Sequence, residues 1–117
     1  MSGTRLVPAG PAAPFPYDEA KRLLLAMPRM SVGKVDFGRQ IEVGKRLGWS
    51  KEMLDGHAGL LARGRCFTFR QDQPPWLRGT FYEANVWFEF DDQKQEETMR
   101  PAILSFAQTL GLKTVEY

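Results

Sequence analysis

The chain has 117 residues, 43% hydrophobic and 26% charged, with 11 Gly, 8 Pro and one Cys. This is the composition of one soluble globular domain with enough chain to bury a core, and it excludes a multidomain assembly and a disulfide scaffold. The formal net charge of +2 is too slight to name nucleic acid as the partner, but it hides a split: residues 1–70 carry twelve basic and six acidic side chains, residues 71–117 four and eight.

Residues 1–16 hold Pro8, Pro11, Pro14 and Pro16 among small residues, which predicts a disordered Pro/Ala-rich tail ahead of a single α+β domain over 17–117. Helical periodicity starts at Asp18, with Ala20, Leu23, Leu24 and Met27 at i, i+3, i+4 and i+7, and Pro28 ends it. A short amphipathic helix over 17–27 follows. From 30 to 49 the apolar residues Val35, Phe37, Ile41, Val43, Leu47 and Trp49 take odd positions, which predicts a strand over 30–37. The stretch 40–48 stays open between a second strand and a helix that would have to accommodate Gly38 and Gly44.

Ser50 stands where an N-cap belongs, and Leu54, Ala58, Leu61 and Ala62 form one helical face over 51–63 before Gly64. Alternation of Phe67 and Phe69 with Cys66 and Thr68 predicts a strand over 65–70, followed by a loop through Pro74, Pro75 and Trp76. Residues 80–90 read as one long strand whose even side faces the core, its odd side carrying Phe81 and Trp87 between charges. Met99, Ile103, Phe106, Ala107 and Leu110 mark a last helix up to Gly111, with Pro101 expected near its first turn, and 112–116 fits a final strand. After the first helix the order is βαββαβ. That implies an antiparallel sheet with helices on one face, ferredoxin-like and preceded by a short N-terminal helix. Two helices over 37–63 followed by a hairpin would instead give a winged helix-turn-helix.

The single Cys66 and an N-terminus without a basic start and apolar run point to a reducing cytoplasm. The longest apolar run, 23–27, is far below the roughly 20 residues that span a bilayer, so no membrane partner is expected.

No catalytic signature emerges. His57 lies nine residues before Cys66 with no specified geometry, and Cys66 among phenylalanines reads as a small packed residue. The cluster Glu89, Asp91, Asp92, Glu96 and Glu97 lacks the spacing of a calcium loop and precedes a helix whose dipole favours carboxylates. Gly33-Lys34 lacks the flanking Gly and Ser or Thr of a phosphate loop. The expectation is therefore a protein that is not an enzyme and needs no cofactor and no metal.

Two binding surfaces compete. Trp76, Phe81, Trp87 and Arg78 supply the side chains that dominate protein interfaces, and Trp76 follows the stiff Pro74-Pro75 pair. They predict a protein-binding module of adaptor, inhibitor or immunity type, engaging another protein or itself. The alternative is single-stranded nucleic-acid binding through the basic segment of Lys45, Arg46, Lys51, Arg63, Arg65 and Arg70. Residues Arg78-Gly79-Thr80-Phe81-Tyr82 begin like the sheet signature of RNA recognition motifs, but Glu83 and the following positions do not match, so no family is assigned. Glu83 and Glu89 beside Trp87 would also repel a phosphate backbone.

Overall fold

A computed structural model of the chain describes residues 2–10, 12–63 and 65–116; the side chains of Ser2, Phe37, His57 and residues 60–63 lie outside that description, as does the expected helix stop at Gly64. The elements are β1 (Ser2–Pro8), α1 (Tyr17–Leu25), β2 (Met30–Gly33), α2 (Phe37–Arg46), α3 (Lys51–Arg63), β3 (Phe67–Gln71), β4 (Arg78–Phe81), β5 (Val86–Phe90), α4 (Gln93–Leu110) and β6 (Leu112–Glu116). The strands form one open sheet in the order β2-β3-β4-β5-β1-β6, every neighbouring pair antiparallel. The chain is thus α+β, as its patterning implies.

The expected tail is corrected over residues 2–8. They form β1, inside the sheet between β5 and β6. Thr4 and Leu6 are buried while Arg5 points to the other face, an alternation that the nearby prolines mask. Pro8 is the last residue of the strand, where a missing N–H does least harm, and the other prolines follow in the connection to α1. With β1 ahead of α1, the sheet has six strands, and the expected four-stranded βαββαβ with a preceding helix does not describe it. The helix pair α2–α3 followed by the β3–β4 hairpin matches the local order of a winged helix-turn-helix, but here the hairpin is the middle of that six-stranded sheet.

Residues 80–90 are also not one strand. A turn closed by the Tyr82 N–H to the Asn85 carbonyl separates β4 from β5, and its four residues reset the alternation. Phe81 pairs with Val86 and with Phe67 and so faces the core with the even residues of β5. It is fully buried: its ring stacks on Phe67 at 4.9 Å and meets Tyr17 and Phe15 edge-on at 5.3 and 5.9 Å. Leu6, Phe69, Val86, Phe88 and Phe90 share this face, beneath Ala20 and Leu24 of α1 and Met99, Ile103, Phe106 and Ala107 of α4.

In α4 the Asp92 carboxylate accepts from the Gln95 N–H, and Gly111 supplies the left-handed C-cap at φ 66°. Pro101 sits well inside this helix on its exposed side, not in the first turn as expected. The buried stripe from Met99 to Ala107 holds the helix through a residue that disfavours helix interiors by about 3 kcal/mol.

The period-two pattern of 35–49 gives way to a helix from Phe37 because Asp36 caps it, accepting from the Arg39 N–H. Gly44 explains the rest: the Trp49 indole lies where a Cβ at position 44 would stand, which clamps α2 to the start of α3. α2 borders the face opposite the core, so the helices are not confined to one face. Replacing Gly44 with Ala should cost about 1–3 kcal/mol through overpacking. Gly38→Ala, whose Cβ would meet only the Asp36 Oδ1 at 3.5 Å, should leave stability unchanged or raise it by up to about 1 kcal/mol. Urea unfolding of the two variants beside wild type checks both.

Candidate functional site

The outer face of the sheet is built from two cross-strand rows. Val115, Arg5, Trp87, Thr80, Thr68 and Gly33 stand opposite one another in turn across β6, β1, β5, β4, β3 and β2. One step along the strands, Arg78 stands opposite Arg70, which stands opposite Ser31. Trp87 lies across Gly3, where a Cβ would collide with its indole, and the Arg5 guanidinium sits 5.4 Å from the Trp87 ring and 5.8 Å from Tyr82. Trp87 does occupy the face away from the core, half-buried beneath an intramolecular cation.

Beside this aromatic patch the face is hollow. A groove of about 380 Å³ runs over Ser31, Gly33, Arg70, Arg78 and Glu89, with Thr68 and Thr80 at its floor. The same two threonines floor a second hollow of about 320 Å³ under α2, walled by Val35, Val43 and Trp49 and rimmed by Lys34 and Arg39. The two hollows adjoin over Thr68 and Thr80, and the pair is called the trough. Lys34, Arg39, Arg70 and Arg78 face Asp36 and Glu89 there, and Asp36 is already engaged in capping α2. Arg78 pairs with Asp91, and its buried Nε has no hydrogen-bond partner. Ser31 donates its hydroxyl to the Arg70 carbonyl.

The residues expected to bind a partner therefore separate. Phe81 belongs to the core. Trp87 and Arg78 are on the outer face. Trp76 stands apart, in a hollow of about 220 Å³ with Pro75, Asp92, Lys94, Gln95 and Thr98. It is 51% exposed, and its backbone is held at φ 62° by the Trp76 N–H to the Gln73 carbonyl. The loop it crowns is pinned by buried Gln71, whose side chain donates to the Pro28 carbonyl and accepts from the Leu77 N–H.

The basic set also divides. Lys45, Arg46 and Lys51 are exposed around the α2–α3 junction. Arg65 lies 4.0 Å from the Tyr17 ring centre and 3.7 Å from Glu83, and only Arg70 reaches the trough. The Arg63 side chain lies outside the described residues, as does that of His57; Cys66 is half-buried. The patterning does not bring Lys34 and Arg39 together, because a period-two pattern hides the first turn of α2; Asp36 ahead of that turn is the available N-cap signal.

Among the described residues no group of three His, Cys, Asp or Glu could hold a metal ion, and no helix is long and apolar enough to cross a membrane. In the acidic cluster, Asp91 pairs with Arg78, Asp92 caps α4 and Glu96 pairs with Arg100. Comparison with protein-family models, with curated proteins and with solved structures finds no match to this chain.

Tyr82 gives the outer face a pH response. Burial holds its hydroxyl above the ordinary 10.0, against the opposing pull of Arg5 and of the hydrogen bond with Thr80. The folded state thus keeps this proton longer than the unfolded chain does, so its contribution is intact below pH 10 and fades as pH climbs through the folded value. Urea midpoints should fall above pH 10 in wild type, with a shallower fall in Tyr82→Phe.

Proposed function

We propose that this protein is a non-enzymatic binding module that takes an acidic segment of a protein chain in the trough between α2 and the outer face of the sheet. The observation that carries the reading is the register of β3 and β4, which sets Arg70 directly opposite Arg78. Like charges at that spacing destabilise a sheet, and among the described residues an ion pair, to Asp91, relieves only Arg78. A carboxylate lying over both would relieve the other and accept charge-assisted hydrogen bonds, with Lys34 and Arg39 extending the field along the trough. A reducing, cytoplasmic setting suits a chain with one free cysteine.

A protein segment is favoured over single-stranded nucleic acid because stacking needs open rings. Among the described residues the trough wall carries half-buried Trp49, Phe69 turns its ring to the core, and Trp87 lies beneath Arg5. The most exposed tryptophan, Trp76, stands outside the trough.

The test is fluorescence titration with a Glu-rich peptide, its Gln-rich counterpart and an oligothymidine at low salt. Binding of the acidic peptide over both others is expected. Arg70→Ala should weaken it about tenfold or more, as expected for losing a hydrogen bond to a charged group. The same variant should be more stable than wild type by about 0.2–1 kcal/mol, since it removes the opposed pair. Tighter binding of oligothymidine would make nucleic acid the partner, and an Arg70→Ala variant that binds the peptide as wild type does would refute the trough.

A further inference from the structure

Exposed groups that the trough leaves unused gather at the neighbouring end of the sheet. Trp76 stands there on a pinned loop, so seating its ring elsewhere orders little additional chain. Beside it Asp92 lines the same hollow and Glu97 is exposed one turn further along α4; with the Arg78–Asp91 pair set aside these outweigh Lys94 by one charge, while Lys34, Arg39 and Arg70 of the trough outweigh Asp36 and Glu89 by one. The Arg78–Asp91 pair is the border between these patches.

Shape agrees with charge. The hollow of about 320 Å³ under α2 has apolar walls in Val35, Trp49 and Val43, the last of these 40% exposed, and a rim of Lys34 and Arg39. It lies within the size range of pockets that enclose an aromatic group. A tryptophan flanked by carboxylates is the complement of an apolar hollow flanked by cations, and this chain carries both. Each half is a known kind of interface anchor: a large aromatic in a pocket, with opposite charges arranged around it.

We infer that the acidic segment seated in the trough belongs to a second copy of this chain. A second copy's Trp76 fills the hollow walled by Val35, Val43 and Trp49, and its Asp91, Asp92 and Glu97 face Lys34, Arg39 and Arg70. This rests on the trough reading above.

Sedimentation velocity of the full chain across a wide concentration range at low salt tests it. The expected mass climbs from 13.3 kDa to at least twice that as concentration rises, and added salt reverses the climb. Trp76→Ala should weaken self-association at least tenfold, as should the double change Arg39→Glu with Arg70→Glu. The double change Asp91→Lys with Glu97→Lys should also stay monomeric alone, and mixing the two charge-reversed proteins should restore a complex. If melting curves show that the Asp91 change unfolds the chain, Glu97→Lys alone serves in the mixture. A wild type that stays monomeric throughout, self-association that survives Trp76→Ala, or a mixture that fails to associate overturns the inference. The Glu-rich peptide separates the two failures: if Trp76→Ala still binds it through Arg70, the trough stands and only the second copy is wrong, whereas loss of peptide binding in wild type removes both.

Discussion

The turn over residues 82–85 sets the register on which both faces of the sheet depend. Strand side chains alternate with a period of two, so the length of the connection decides which set of β4 residues joins Val86, Phe88 and Phe90. With this turn, Phe81 enters the core and Arg78 and Thr80 go outward. A one-residue slip would bury an arginine and expose the phenylalanine at the centre of four packed rings. The aromatic core and the cationic trough are therefore two sides of one constraint.

The two faces are packed on different terms. Under α1 and α4, rings interlock edge to face, with Phe88 meeting Phe69 at 5.4 Å and Phe106 at 6.2 Å. On the outer face, opposed arginines, hydroxyls and a helix pair clasped by Trp49 on Gly44 leave open volume instead of a dense layer. Natural sheets usually place opposite charges across strands. A sheet that tolerates Arg70 against Arg78 in its middle, and not at a frayed edge, has local choices at odds with its own stability, and such conflicts concentrate at sites that bind something.

Much of the α+β character was legible in residue patterns. The helix over 51–63 matches α3 in its limits, the Leu112–Glu116 strand and the Gly111 cap follow the chain's punctuation, and Tyr17–Leu25 has the expected apolar stripe. Patterns mislead where two local signals conflict. Prolines hid the alternation of Thr4, Arg5 and Leu6, and two glycines argued against helix in 37–46 although one of them exists to admit an indole. Alternation alone puts Phe81 on the outer face, because the turn that reverses it contains no glycine or proline to announce it.

Residue patterns alone specify most of the core, the Ser50 and Gly111 caps and the kind of surface chemistry, because each depends on residues within a turn or a strand of one another. They also mark arginines and tryptophans as this chain's distinctive side chains. Which of them meet depends on the tertiary fold. Arg70 and Arg78 are brought opposite by strand pairing, and Lys34 and Arg39 join them because α2 folds over the outer face. Trp76 and Trp87 part company because one precedes β4 at the end of the sheet and the other lies across Gly3 in its middle. Pairing partners distant in sequence are chosen by the collective burial of the sheet's aromatic face, and no local pattern encodes that choice.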